Sequence, residues 1–391
     1  MALPVGSISK KIVAQAKKTR EDIHRHAELS MEETRTCRLV AERLRGIGLD
    51  EVHEGVAGTG VVGLLRGAKK GRTVALRADM DALPIQEETG LPYASVNAGV
   101  MHACGHDGHV AILLAVAEVL AGRRGKMAGN VKFIFQPGEE GFGGGRLMVE
   151  AGCLKKPAVD AIFALHGASA VRPGAIKLSP TPYAGMWSWR MVIEGKGGHG
   201  SAPHTSTDPI AIGVQIISAA QTIVSRESRP DDPTVLSVCS FQAGTKDNII
   251  PDRAVLMGTI RSLQTKGLVR VRKALERVAR NVARSMRGRI SMEDLGSYPP
   301  TRNDLELLEF VRGVGVDVVG KRNVLDAKVQ TMGAEDFSFY LTEQGGVPGV
   351  MFSIGIESKE NHHTSRFDFG SVALEPGILM MANLAARFLE G

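Results

Sequence analysis

The stretch from Val131 to Gly152, VKFIFQPGEEGFGGGRLMVEAG, decides how this 391-residue chain is read. Val131 to Phe135 is an apolar run broken only by Lys132, of strand length. Pro137-Gly138 interrupts it, since proline lacks a backbone donor and glycine favours a turn. Periodicity resumes from about Gly144 to Ala151 as a helix. Working outward, the runs Gly60 to Leu65, Thr73 to Leu76 and Ala161 to Leu165 read as further strands. A helical segment from about Ile8 to Arg45 precedes them, and Asp107 to Leu120 is a helix with Asp107 as candidate N-cap. Apolar strands separated by helices predict an α/β domain with a mostly parallel central sheet flanked by helices. Ligands gather beyond the carboxyl ends of such strands. Asp79 and Asp81 follow one strand, Glu139 and Glu140 a second and His166 a third, so the chemistry is expected at one edge.

The pattern changes near residue 185. Met186 to Glu194 reads as a strand, Asp208 to Arg226 as a helix, Thr234 to Gln242 and Ala254 to Arg261 as strands, Thr265 onward as a basic helix, and Arg289 to Glu293 as a strand. That order is the split βαβ arrangement of a ferredoxin-like α+β domain. Beyond SYPPTRND, helices at Leu305 to Val319 and from Pro376, with the strand VMFSIG between, return to the first pattern. The expected organisation is a catalytic domain in two parts, 1–184 and 298–391, around an inserted domain, 185–297.

Composition narrows the function classes. With 43% hydrophobic and 23% charged residues the chain is of ordinary globular character, and its length favours two domains. The longest apolar stretch, Val110 to Leu120, is short and contains Glu118, so no membrane association is expected. The N-terminal segment lacks a secretory core and the four cysteines form no CxxC pair, which points to a cytoplasmic protein. A net charge of +6 raises the question of nucleic acid. Much of the excess lies on TKGLVRVRKALERVARNVARSMRGR, where a solvated helix face accounts for it, and no nucleic-acid partner is expected.

Acids, imidazoles and one thiol recur in MHACGHDGHV, PGEEG, ALHG and NHHTSRF, the donor types that a two-metal hydrolytic centre uses. Cys104 and His106, two apart, project to one side of an extended backbone and can reach one metal cluster; a buried thiol beside a helix-capping histidine fits them too. Adjacent side chains such as Glu139 and Glu140 diverge, so one carboxylate can bind metal while its neighbour serves as general base. Solvated loop acids are the plain alternative. His166 ends an apolar strand, and Asp79 and Asp81 suit ligation, orientation of an imidazole or capping of a turn. His109, one turn into the following helix, suits packing or support of a ligand better than ligation, and His102 is equally open. GFGGGR lacks the Gly-Lys-Ser/Thr ending of a phosphate loop, and no GxSxG elbow exists, so hydrolysis here requires an activated water.

Taken in order, MHACGHDGHV, FQPGEEG, ALHG, GKGGHGSAPH, GTKDNIIPD, GTIRS, GAEDF and HHTSRFDF resemble the amidohydrolase branch of the aminoacylase and carboxypeptidase metallopeptidases. That branch holds hippurate hydrolases, N-acyl-amino-acid deacylases, archaeal carboxypeptidases and plant indole-acetyl-amino-acid hydrolases. The resemblance runs from REDIHRHAELSMEE to near the end of the chain. It implies Cys104, His106, Glu140, His166 and His363 as ligands of two divalent ions, zinc or manganese with cobalt possible, and Glu139 as general base. The family spaces its last ligand four residues before an aromatic, here Phe367, so the resemblance implies His363 and not His362. The resemblance also implies Asp81 as an acid orienting the metal site, His199 as an oxyanion donor, and Asn248 and Arg261 as substrate contacts. The implied function is metal-dependent hydrolysis of N-acyl-amino acids or of C-terminal amino acids of short peptides, by a homodimer or higher homo-oligomer. Alternatives are a biosynthetic deacylase such as one for N-acetyl-diaminopimelate, and a non-catalytic acyl-amino-acid binding protein. Ala27 and Ser365 stand where the family usually has proline.

Overall fold

The structure, a computed structural model, describes residues 5–327, 331–341 and 346–390. Two helices occupy the stretch read as one: α1 (Lys10–Arg25), capped by the Ser9 side chain, and α2 (Thr34–Ile47), which ends on Gly48 at φ 85°. They are followed by β1 (Glu51–Val56), β2 (Gly60–Arg66), β3 (Lys69–Asp79), α3 (His106–Ala121), β4 (Ala128–Gln136), α4 (Gly144–Glu150), β5 (Ala161–Ala168) and β6 (Ile176–Leu178). Next come β7 (Gly185–Glu194), β8 (Gly198–His199), α5 (Pro209–Thr222), β9 (Thr234–Ala243), β10 (Ile249–Ile250), β11 (Arg253–Ser262), α6 (Thr265–Ser285) and β12 (Arg289–Tyr298). The chain ends with α7 (Leu305–Val319), β13 (Val324–Asp326), β14 (Gly349–Gly355) and α8 (Leu374–Phe388). Among the described residues no helix is long and apolar enough to cross a membrane.

The chain divides into two compact units. The first takes the described residues of Met1–Pro182, Arg302–Gln330 and Asp336–Gly391; the second takes Tyr183–Thr301 and Thr331–Glu335.

In the first unit an eight-stranded sheet runs in the order β1-β2-β4-β3-β5-β14-β6-β13. It is mixed rather than mostly parallel. Its centre, β4-β3-β5-β14, is parallel, but β1 with β2, β2 with β4, and β14 with β6 are antiparallel. Only a few residues join β1 to β2, and so short a link permits only an antiparallel pair. Helix α3 packs against α1, α8 and β3 and is buried on nearly every side. This explains why its sequence is apolar all round instead of striped. Its N-cap is Gly105 at φ 88°, not Asp107, whose carboxylate is committed elsewhere.

The second unit is a four-stranded antiparallel sheet of order β12-β7-β11-β9, with α5 and α6 supplying apolar side chains to one core. Strand β7 alternates, burying Trp187, Trp189, Met191 and Ile193. On α6, Leu268, Val271 and Leu275 are buried while Arg272, Arg277 and Arg280 pair with Asp294, Glu227 and Glu276.

Candidate metal centre

The parallel strands β4, β3, β5 and β14 are neighbours, and the segments leaving their carboxyl ends carry Glu139 and Glu140, Asp81, the Cys104 to His106 turn, and His362 and His363; His166 lies near the end of β5 itself. A parallel sheet brings these ends to one edge although the residues are far apart in sequence. Gly105 lets Cys104 and His106 approach the same point. Its φ of 88° suits glycine, and a Cβ there would meet Phe369 at 2.8 Å.

The donor atoms converge. Cys104, His106 and His166 place one ligand atom each within 4.8 Å of one another, as do Cys104, Glu140 and His363, and so do His106, Glu139 and Glu140. Cys104 belongs to two of these groups. Its Sγ is 3.5 Å from His166 Nε2, and Glu140 Oε1 is 3.2 Å from His363 Nε2. His363 adopts the left-handed backbone region at φ 63°, an uncommon state for a residue with a side chain. His362 instead places its Nε2 3.0 Å from the Gly167 carbonyl.

Each imidazole is oriented by a neighbour. His106 Nδ1 donates to the Asp81 carbonyl at 2.9 Å and faces Asp81 Oδ1 at 3.2 Å, which directs its Nε2 lone pair into the site. His166 Nδ1 donates to the Gly167 carbonyl at 2.7 Å and likewise turns its Nε2 towards Cys104. Asp81 is buried, and its Oδ2 accepts from Ser30 Oγ at 2.6 Å and from the Glu140 amide at 2.9 Å. The same acid thus holds one candidate ligand by its ring and another by its backbone. Further back, Asp79 Oδ1 is 2.6 Å from His109 Nδ1, and His109 Nε2 accepts from the Gly167 amide at 2.9 Å.

The electrostatics fit a cation. His106 Nε2 is buried, makes no hydrogen bond among the described residues and lies 4.0 Å from Glu140 Oε1. A buried polar atom in this condition needs a partner, and an imidazole, a carboxylate and a thiol are together the donor set of a transition-metal site. Burial pushes the Cys104 thiol well up, with Glu140 adding to the effect, so the thiolate forms only when a cation is there to stabilise it. Burial also holds His166 well below its ordinary value, leaving it neutral as a ligand must be. For His106 burial opposes protonation, but Asp79 and Cys104 outweigh it and raise the ring well above the usual range.

His199, Asn248 and Arg261 lie in the second unit. His199 and Asn248 adjoin: the Gly200 amide donates to the Asn248 carbonyl at 2.8 Å, and β8 pairs with β10. His199 is exposed, with its Nδ1 accepting from the Ser201 amide at 3.1 Å. Arg261 is half-buried on β11, its Nε donating to Thr259 Oγ1 at 3.1 Å.

Several residues around the site escaped sequence reasoning. Glu33 is fully buried and accepts the Gly138 amide at 2.8 Å, and its other oxygen accepts from Thr59 Oγ1. Arg77 is buried in β3 against Asp79 and Asp336. His24 joins Asp107 and Glu87 within a buried cluster that also holds Arg20. A charged residue inside an apolar strand, as in VALRAD, was the available signal for Arg77.

A profile of peptidase family M20/M25/M40 matches residues 75–387. The chain is 40% identical over 387 residues to thermostable carboxypeptidase 1 of Saccharolobus solfataricus, covering 94% of each chain. It is 36% identical to N-acetylcysteine deacetylase of Bacillus subtilis over 376 residues, 95% of this chain and 96% of that one. Among solved structures, the Bacillus subtilis YXEP protein, a dinuclear metal-binding peptidase from the M20 family, superposes with a TM-score of 0.84 at 33% identity over 98% of this chain and 99% of that one.

Proposed function

The chain belongs to peptidase family M20/M25/M40 and is a metal-dependent amide hydrolase, and from that premise we propose that it cleaves N-acyl-amino acids and the C-terminal residue of short peptides, with Glu139 as general base. The observation that carries this reading is the convergence of a buried His106 Nε2 without a hydrogen bond and of Cys104, Glu140, His166 and His363 in overlapping groups of ligand atoms. Cys104, His106, Glu140, His166 and His363 hold two divalent ions in this proposal. When bound, such ions polarise the amide carbonyl and lower the pKa of a water to about 7.

The remaining steps belong to the chain's own groups. Glu139, whose carboxylate lies within 4.8 Å of Glu140 and His106, takes the proton from the attacking water and passes it to the departing amine. Asp81 holds His106 in the ligand tautomer and the Glu140 backbone in place. His199 donates to the developing oxyanion, Asn248 contacts the substrate, and the Arg261 fork suits its carboxylate.

The second unit serves as a lid and dimerisation domain. Its edge strand β9 exposes Val235 and Phe241, and α5 exposes Ile210 and Val214, apolar surface that a second copy would cover. Two-fold pairing would let His199 of one subunit act at its partner's site. A cytoplasmic location is part of the reading and rests on the free state of Cys37, Cys104, Cys153 and Cys239.

Product analysis on a panel of N-acyl-amino acids and dipeptides, with zinc, manganese or cobalt added to the chelated protein, tests the proposal. Hydrolysis restored by metal supports it. Binding without turnover across the panel would favour a non-catalytic binder, and activity confined to acyl-diaminopimelate would favour the biosynthetic deacylase.

A further inference from the structure

The loop between β4 and α4 carries both Glu139 and Glu140, and its two ends are tied to one residue far along the chain. Asp336, fully buried at the start of a short 3-10 helix (Asp336–Leu341), accepts from Gln136 Nε2 at 2.7 Å through Oδ1 and from the Gly145 amide at 2.8 Å through Oδ2. Gln136 is the last residue of β4 and Gly145 the second of α4, so one carboxylate spans the mouth of the loop. Arg77 Nη2 donates to Asp336 Oδ1 at 3.0 Å, and Arg77 Nε donates to Gln136 Oε1 at 2.8 Å, which locks the Gln136 amide in the orientation that serves Asp336. The Asp336 backbone N–H then points at Glu139 Oε1, 3.4 Å away.

Closure leaves no room for side chains at the end of the loop. A Cβ on Gly144 would lie 1.6 Å from the Pro137 carbonyl oxygen, and one on Gly145 would lie 2.6 Å from the Asp336 carbonyl oxygen. The glycine run GFGGGR is therefore a packing device here. Replacing a buried ion pair by apolar residues is often neutral or stabilising, so stability alone is a poor reason for Arg77 and Asp336 to be where they are. Misplacing a reacting group by about 1 Å, by contrast, costs about 100-fold in rate.

We infer that Asp336, oriented by Arg77 and Gln136, is a positioning residue that sets the carboxylate of Glu139. The inference rests on the reading of Glu139 as general base. It gives a role to the GAEDF motif and to the arginine of VALRAD, neither of which supplies a ligand in that reading.

The test is a double-mutant comparison on a hydrolysed acyl-amino acid, with metal content measured throughout. Arg77 Nη2, Gln136 Nε2 and the Gly145 amide all donate to the Asp336 side chain, so Asp336→Asn turns its own NH2 towards one of these donors while keeping shape and backbone. In the otherwise native protein D336N should lower kcat about 10- to 100-fold with KM within about threefold and the full metal complement. In a Glu139→Gln background the same substitution should change the residual rate by less than about twofold, because the group it positions is already gone. Gly145→Ala, which pushes on Asp336 without removing a charge, should reproduce both results and carries the test if D336N does not fold. An equal fall in both backgrounds, or loss of metal from either variant, would overturn the inference. Wild-type rate in E139Q would sink the base assignment itself, whereas an inactive E139Q beside D336N and G145A at wild-type kcat would sink only the positioning role.

Discussion

Asp81→Asn changes no shape yet should weaken metal binding, and the hydrogen bonds show by how much. Asp81 Oδ1 faces the His106 Nδ1 donor at 3.2 Å, and Oδ2 accepts both Ser30 Oγ at 2.6 Å and the Glu140 amide at 2.9 Å. An asparagine offers one acceptor where two are used. With its oxygen towards His106, its NH2 meets the Glu140 N–H, which cannot turn away, and the backbone of a candidate ligand shifts. With its oxygen towards Glu140, its NH2 meets His106 Nδ1–H, which the Asp81 carbonyl still holds at 2.9 Å, so the ring must shift and carry its Nε2 off the position needed for metal. Loss of such an orienting partner typically costs 10- to 100-fold in metal affinity, about 1.4 to 2.8 kcal/mol. Titration against a competing chelator should show that drop, and kcat measured with saturating metal should recover to within about fivefold of wild type because Glu139 is untouched. Metal affinity within twofold of wild type would refute the orienting role, and full affinity with a collapsed rate would move Asp81 into the chemistry itself.

Glu139→Gln should cut the rate by about 10² to 10⁴-fold with metal retained, whereas Glu140→Gln should lose metal; equal metal content and equal rates would reject that division of labour. Cys104→Ala should lower metal content and activity together, and elemental analysis showing full occupancy at full rate would remove the thiol from the ligand set. His24 should govern stability at alkaline pH. Burial opposes its charge, but Asp107 and Glu87 outweigh it and its pKa is raised to about 9. Its imidazolium therefore contributes in full below the unfolded value near 6.5 and is lost as pH rises towards about 9, a change of roughly 3 kcal/mol. Denaturant titrations of wild type and His24→Gln across that window should show the slope in the first and not in the second.

The candidate ligands were legible because metal chemistry admits few residue types. Cys104 and His106, one glycine apart, and the Glu139-Glu140 pair each had a plain structural alternative, and the ordered family motifs decided between them. The strands were legible from apolar runs, although β3 and β12 extend further than those runs, through exposed residues such as Lys69, Lys70 and Asp294. Asp107 was misread because a helix-start signal depends only on adjacent sequence. Its carboxylate is instead taken by Arg20 and His24, which come from α1. Helix α3, lacking an amphipathic stripe, concealed that it is central.

What the linear chain determined by itself is the inventory: which side chains can ligate, which can take a proton, and where strands and helices alternate, since these follow from residue chemistry and local periodicity. What only the tertiary structure decided is how that inventory is tied together. Sheet order brings β4, β3, β5 and β14 side by side, and only then does Asp81 meet His106 and Glu140, Glu33 meet Gly138, or Arg77 and Asp336 meet across the mouth of the Glu139 loop. A hydrogen bond requires its partners within about 3 Å and correctly aligned. Such proximity between residues from 25 to 259 positions apart is a property of the packed sheet, and local pattern carries no trace of it.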